Sequence, residues 1–235
     1  MRNRADEGVR PHGMRDHVRI AGVFVRTIAL NVDDEELARC RALLSDDERA
    51  RAERFRFEKH ARRFTVARAN LRTILGEVTG RAPRSIEIAT SAHGKPLVDG
   101  VEFNLSHSSE LAVVAVAESR VGIDVERVRD RPVLEIAERF FAPDEVDELR
   151  RAGDPLHAFF RCWTAKEAYL KARGEGITLP LDWFAVSLDR ASPSLLRADG
   201  DDPSRWMLSR VDVGNDYVCT VAVKSARDND AGELR

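Results

Sequence analysis

Little in this sequence points to disulfides, membranes or polyanionic partners. Only three cysteines occur in 235 residues, Cys40, Cys162 and Cys219. They lie far apart without CxxC spacing and cannot all pair within one chain, so reduced thiols in a cytoplasmic protein are expected. No apolar run is long enough to span a bilayer, so no membrane association is expected. The first twenty residues lack an apolar signal core, and their acids Asp6, Glu7 and Asp16 argue against a transit peptide. That segment reads as a disordered leader. A formal net charge of −2 argues against general nucleic-acid binding, and any phosphate site must therefore be local.

What is present is the composition of a soluble globular protein, 43% hydrophobic and 33% charged, long enough for one large domain or two small ones with real cores. "VFVRTIAL" (23–30) reads as a strand and "VDDEELARCRALLS" (32–45) as a helix. A second helical stretch follows Ser45, broken within "RFRFEKH" and closed by Gly80; Ser45 with Glu48 fits a capping box. "IEIAT", the extended "FNLS", the apolar "LAVVAVAES" and "VGIDVERV" read as strands. Helices follow in "PVLEIAERFF", "APDEVDELRRA" and "PLHAFFRCWTAKEAYLKARG", with Pro143 at a helix start and Gly174 at a helix end. Strands "FAVSL", "WMLSRVDV" and "YVCTVAVKS" close the chain. Each half thus runs strand, helices, strands, and "LAVVAVAES" is similar to "VCTVAVKS". The pattern implies a diverged duplication of an α+β unit, with a ligand cleft between like halves.

The chemistry begins in "VGIDVERV". Successive strand side chains point to opposite faces, so Asp124 and Glu126 share one face while Ile123 and Val125 take the other. Alone, this pair is equally a solvated strand face. In "FFRCWTAKEAYLKARGEG", Glu167 and Lys171 stand one helical turn apart, which alone describes a surface ion pair contributing ~0.3–0.5 kcal/mol. Trp163, one turn before Glu167 on the same side, puts that acid at the border of a core. If Glu167 meets Asp124 and Glu126, the three carboxylates make a hard-oxygen site suited to Mg²⁺, with Lys171 beside it for a phosphate. Histidines near these acids are lacking, which argues against zinc.

Residues 49–72 are rich in arginine, including Arg49, Arg51, Arg54, Arg56, Arg62, Arg63, Arg68 and Arg72. Most of such a run is solvated, although the guanidinium fork suits a phosphate. "HGKP" (93–96) signals a turn whose Lys95 is an ordinary exposed residue unless the turn faces a ligand. In "NLSHSS" (104–109), Ser106 and His107 are neighbours on extended backbone and point apart, which argues against a Ser-His dyad. His107 suits a phosphate or nucleotide contact, or a hydrogen-bonded structural role.

Taken in order, "GKP", "FNLSHS", "VGIDVE", "RFFAPDE" and "CWTAKEAYLKARGEGI" closely resemble the 4′-phosphopantetheinyl transferases, specifically the surfactin-synthetase-activating (Sfp) type. The resemblance runs from about residue 23 to the final strand. The short, trimeric holo-acyl-carrier-protein synthases share the last motifs but are about half this length. The resemblance implies an α+β fold of two similar α/β subdomains related by pseudo-two-fold symmetry, in a monomer. On this reading residues 1–19 are the leader, 20–118 the coenzyme A nucleotide-binding subdomain, 119–225 the subdomain with the metal and catalytic residues, and 226–235 a disordered tail.

The reaction implied is Mg²⁺-dependent, with Mn²⁺ as a substitute ion. It transfers 4′-phosphopantetheine from coenzyme A to a serine of an apo acyl, peptidyl or aryl carrier protein. Carriers of nonribosomal peptide, polyketide or fatty acid biosynthesis are the expected partners. By motif, Asp124, Glu126 and Glu167 are the metal ligands, and Glu167 also deprotonates the serine, directly or through water. Lys171 stabilises or protonates the leaving phosphate. Arg51, Arg63 and Lys95 bind the coenzyme's phosphates and nucleotide, Ser106 and His107 line its 3′-phosphate site, and Gly94 and Pro96 shape that wall. Glu48 departs from the pattern, standing where a basic residue is usual, with Arg49 as the replacement contact. Residues Phe140 to Leu149 are the expected receiving surface for an acidic carrier. A catalytically silent carrier-binding or coenzyme-A-sensing module and a metal-dependent nucleotide phosphohydrolase are the alternatives.

Overall fold

A computed structural model of the chain describes residues 17–225, apart from 92–93, 175–178 and 190. The first half comprises β1 (His17–Ile20), β2 (Val23–Ala29), α1 (Asp34–Leu43), α2 (Asp46–Glu53), α3 (Glu58–Thr79), β3 (Ala89–Thr90), β4 (Pro96–Leu97), β5 (Glu102–Ser108) and β6 (Leu111–Ala117). The second comprises β7 (Val121–Arg127), α4 (Val133–Phe140), α5 (Pro143–Arg151), α6 (Pro155–Arg173), β8 (Phe184–Val186), β9 (Leu195–Ala198), β10 (Trp206–Val211) and β11 (Tyr217–Lys224). The fold is α+β. Of its sheets, all antiparallel, the two larger have the orders β1-β2-β6-β5 and β10-β11-β7, and β3-β4 and β8-β9 are two-stranded.

These two orders contain one connectivity used twice. In each half an opening strand leads through helices to a closing hairpin, and the opening strand pairs with the last strand of that hairpin. Thus β2-β6-β5 corresponds to β7-β11-β10, as the likeness between "LAVVAVAES" and "VCTVAVKS" implies. The change of sheet falls between β6 and β7.

The two sheets pack face to face. Val23, Val25, Leu111, Val113 and Ala115 meet Val121, Ile123, Val125, Val221 and Val223 in a shared apolar layer. The opposite face of the first sheet, through Ala112, Val114 and Val116, packs on α3 residues such as Leu71, Ile74 and Leu75. Both faces of β6 are therefore covered, which is why its sequence is a continuous apolar run rather than an alternating one. In the second half, α6 is the central helix, with Phe159, Phe160, Ala165 and Tyr169 buried against α4, α5 and β8.

Local chemistry sets the helix ends. Ser45 and Glu48 form the expected capping box on α2, the serine hydroxyl accepting from Glu48 N and the Glu48 carboxylate from Ser45 N. Asp154 caps α6 by accepting from His157 N at 3.1 Å, and Pro155 follows at the first turn. Gly80 and Gly174 close α3 and α6 in the left-handed conformation, at φ of 68° and 77°.

Two expectations need correction. The leader was expected to extend through residue 19, but His17–Ile20 form β1 against β2; residues 1–16 lie outside the described residues, as does the tail from 226. The β1–β2 turn uses Ala21 and Gly22, both at positive φ (51° and 80°). "IEIAT" contributes only Ala89–Thr90 as strand, because Pro83–Ser85 form a turn of 3-10 helix and Ile86 is buried as an anchor. Strand β9, absent from the sequence reading, pairs with β8 across an irregular register.

Candidate active site

Strand β7 holds Asp124 and Glu126 on the face opposite Ile123 and Val125, which are sealed between the sheets. Against the acidic face lies α6. Their close approach depends on Gly122: a Cβ there would overlap the Ala168 carbonyl oxygen and the Ala172 amide nitrogen. With the helix that near, Lys171 Nζ reaches Asp124 Oδ1 at 2.6 Å and Ser106 Oγ at 3.1 Å. Lys171 thus pairs with the strand acid Asp124.

Burial pushes the Glu167 carboxyl up from its ordinary range; Asp124 and Glu126 push the same way and Lys171 opposes them. Burial likewise raises Glu126, with Asp124 adding to the effect and the hydrogen bond from Ser108 countering it. Three carboxylates therefore share a poorly hydrated site with one ammonium, leaving an excess of negative charge. Asp124 Oδ2 is buried and has no hydrogen-bond partner, an orphaned acceptor of the kind a cation satisfies. Among the described residues no three acidic, histidine or cysteine side chains are placed so that they could by themselves hold a metal ion. An incomplete set of hard oxygens nonetheless fits Mg²⁺, which keeps waters and substrate phosphates in its shell.

The other expected residues are placed as follows. Lys95 Nζ donates to the Lys171 carbonyl at 3.3 Å, so the Gly94–Pro96 turn faces the C-terminal end of α6. Burial lowers the Lys95 pKa, while Glu102 opposes the shift. Ser106 lies beside Asp124, its hydroxyl donating to Oδ1 at 2.9 Å, and His107 is exposed beyond Phe103 and Leu105 on the opposite face of β5. Arg63 is 3.6 Å from Glu110, in the β5–β6 turn. Arg51 lies over the Phe64 ring at 5.1 Å, on the helix adjoining Arg63.

Glu48 has a structural task. Its carboxylate accepts from Arg72 Nε at 2.6 Å while capping α2, and Arg68 stands 3.5 Å away. Arg49 is engaged by Asp46 and by the Leu44 carbonyl. Of the stretch Phe140 to Leu149, Phe141, Ala142, Val146 and Leu149 are buried. Exposed Phe140 carries the Arg139 guanidinium over its ring at 5.2 Å, and the outward residues of α5 are of both signs, Asp144, Asp147 and Glu148 followed by Arg150 and Arg151.

Sequence reasoning passed over several residues of this site and of the core behind it. Asn104 and Ser108 share the strand face of Ser106, a period-two polar pattern that carried the signal. Lys166, next to Glu167, is fully buried, donating to the Leu181 and Phe184 carbonyls at 2.8 and 2.7 Å and pairing with Glu145 Oε2 at 2.7 Å. Thr164 on α6 and Thr220 on β11 join hydroxyls at 2.9 Å.

Comparison with known proteins follows the same division of the chain. Residues 31–119 match the family model described as 4′-phosphopantetheinyl transferase, N-terminal, and residues 120–222 that of the 4′-phosphopantetheinyl transferase superfamily. The 4′-phosphopantetheinyl transferase HetI of Nostoc sp. is 40% identical over 211 residues, covering 86% of this chain and 87% of the relative. A 4′-phosphopantetheinyl transferase of Bacillus subtilis is 31% identical over 193 residues, covering 79% and 84%. The 4′-phosphopantetheinyl transferase Sfp of Bacillus subtilis is 29% identical over 190 residues, covering 78% and 84%.

Proposed function

The chain belongs to the 4′-phosphopantetheinyl transferase superfamily, and on that premise we propose that it transfers 4′-phosphopantetheine from coenzyme A to a serine of an apo carrier protein with Mg²⁺ as the required ion. The observation that carries this reading is the acidic cluster itself: Asp124, Glu126 and Glu167 surround one ammonium, and Asp124 Oδ2 is left without a partner.

Asp124, Glu126 and Glu167 would hold the ion, which when bound neutralises and orients the coenzyme's pyrophosphate. Glu167, its proton affinity raised by burial, accepts the proton of the carrier serine directly or through water. The serine oxygen bonds to the β-phosphorus, the pyrophosphate P–O bond breaks, and adenosine 3′,5′-bisphosphate leaves. Lys171 stabilises or protonates that leaving phosphate. Positioning and charge neutralisation supply most of the acceleration in such transfers.

The coenzyme lies along Arg51, Arg63, the turn Gly94, Lys95 and Pro96, and the segment Ser106 and His107. We assign the enzyme to the Sfp type, acting in the cytoplasm as a monomer on acyl, peptidyl or aryl carriers. Residues 20–118 serve the nucleotide, and 119–225 the chemistry. The exposed side of α5 carries both signs of charge, so within Phe140 to Leu149 the contact offered to an acidic carrier is Phe140, with the adjoining Arg139 over its ring.

Intact-mass spectrometry of an apo carrier incubated with the protein, coenzyme A and Mg²⁺ tests the reading. A gain of one phosphopantetheine group, abolished by EDTA, is expected. Coenzyme A binding without transfer to any of several carriers would identify a silent binding module. Release of free phosphopantetheine or phosphate without a carrier would identify a phosphohydrolase.

A further inference from the structure

The order β10-β11-β7 leaves β7 at the edge of its sheet. An edge strand presents a row of backbone N–H groups, and buried ones need partners. In the first half the corresponding strand, β2, has its outer edge closed by backbone, because β1 pairs along it. The edge of β7 is closed differently. Ile123 N donates to Asn104 Oδ1 at 2.9 Å, Val125 N to Ser106 Oγ at 3.3 Å and Arg127 N to Ser108 Oγ at 3.1 Å. Acceptor and donor both advance by two residues, at a constant separation of 19. Side chains on one face of β5 therefore run in step with alternate amides of β7, in parallel.

The two serines also return a hydrogen bond. Ser106 Oγ donates to Asp124 Oδ1 at 2.9 Å, and Ser108 Oγ to Glu126 Oε2 at 2.8 Å. Each hydroxyl thus grips a carboxylate and the amide of the residue after it. We infer that Asn104, Ser106 and Ser108 are positioning residues: a side-chain ladder across the junction of the two halves that sets the register of β7 and orients Asp124 and Glu126. Its consequence for catalysis rests on the transferase reading; its structural content does not.

The ladder also divides labour within "NLSHS". A hydroxyl has one donor and two acceptor lone pairs. Ser106 gives its proton to Asp124 and accepts from Val125 N and Lys171 Nζ, so no capacity remains for a phosphate. His107 is exposed, which leaves it as the side chain of this pair with capacity for a phosphate.

Three variants of the full chain test the inference: Ser106→Ala, Ser108→Ala and Ser108→Thr. By hydrogen-exchange mass spectrometry, amides of the β7 segment should exchange faster in the two alanine variants. Ser108→Thr, which keeps the hydroxyl, should restore protection. In the transfer assay, kcat of Ser106→Ala should fall roughly tenfold or more, as expected for misplaced reacting groups. Its preference for coenzyme A over 3′-dephospho-coenzyme A should equal that of the unaltered protein. Unchanged β7 exchange in both alanine variants would overturn the ladder, and so would a selective loss of that preference in Ser106→Ala. If the unaltered protein transfers nothing, the functional reading fails while the exchange experiment still decides the ladder.

Discussion

The ammonium of Lys171 stands 2.6 Å from Asp124 Oδ1, joining the last turn of α6 to the centre of β7. Asp124 is buried, and Oδ2 has no hydrogen-bond partner. The pair therefore consumes one oxygen of the acid and leaves the other for a ligand. Asp124→Ala and Glu167→Ala should each nearly abolish transfer at saturating Mg²⁺, because each removes a hard oxygen and part of the charge that attracts the ion. Near-normal turnover by either variant would remove that residue from the ligand set. Mg²⁺ should also raise the melting temperature of the unaltered protein more than that of Asp124→Ala, a readout independent of catalysis; equal shifts would count against Asp124.

Lys171→Ala separates two roles. If Lys171 acts on the leaving phosphate, kcat falls more than coenzyme affinity does. A loss confined to affinity would make it a binding residue. Turnover at saturating coenzyme A and calorimetric binding of coenzyme A distinguish these outcomes.

Gly122→Ala should be among the most damaging small substitutions in the chain. The added methyl meets backbone atoms of Ala168 and Ala172, not the movable end of a side chain. Overpacking of this kind costs about 1–3 kcal/mol and sometimes more, and here relief requires moving α6 off β7. The expected result is a lower urea midpoint together with lost transfer. A variant with native stability and activity would show that α6 can shift without separating Lys171 from Asp124.

How much of this was legible beforehand depended on whether a feature is local. The strand β7, the helix α6 and the caps at Ser45 and Gly174 follow from short-range periodicity and capping chemistry, and Asp124 and Glu126 share a face by strand geometry alone. Strand β1 escaped because its turn uses Ala21 at φ 51°, where the familiar hairpin signal is Asn-Gly or Asp-Gly. Glu48 looked like a lost phosphate contact; its true partner, Arg72, lies a helix away. The ladder from Asn104 to Ser108 was visible as a polar alternation, but its meaning depends on β5 and β7 lying side by side. That arrangement results from packing between the two sheets.

The thiols give a prediction about reactivity. Burial pushes Cys40 up to about 11, with Glu36 adding to the shift, and raises Cys162 and Cys219 well above the ordinary thiol range. Since the thiolate is the nucleophile, raising the pKa suppresses it at neutral pH. A disulfide reagent at pH 7.5 should titrate the folded protein slowly, and guanidinium should release all three thiols. Rapid modification of a thiol in the folded protein would contradict its burial.

The ion pair of Lys166 and Glu145 makes the last prediction, on stability. Glu145 accepts from Ala142 N and Val186 N, at 2.9 and 2.8 Å, as well as from Lys166, so one carboxylate ties the start of α5 to β8 and α6. Lys166→Met keeps most of the side-chain volume but leaves that carboxylate buried without its cation. Breaking a buried pair from one side costs on the order of 3–5 kcal/mol, whereas replacing both partners by apolar groups is often neutral. Here the second half of that rule should fail. Glu145→Leu removes two acceptors for backbone amides in addition to the charge, and an unsatisfied buried donor costs about 1–3 kcal/mol. The double variant Lys166→Met/Glu145→Leu should therefore stay destabilised, while Lys166→Met/Glu145→Gln, which retains an amide oxygen as acceptor, should recover part of the loss. Urea denaturation of the three variants, compared at equal m-value, gives the ranking; full recovery by Glu145→Leu would show that the backbone contacts of Glu145 contribute nothing.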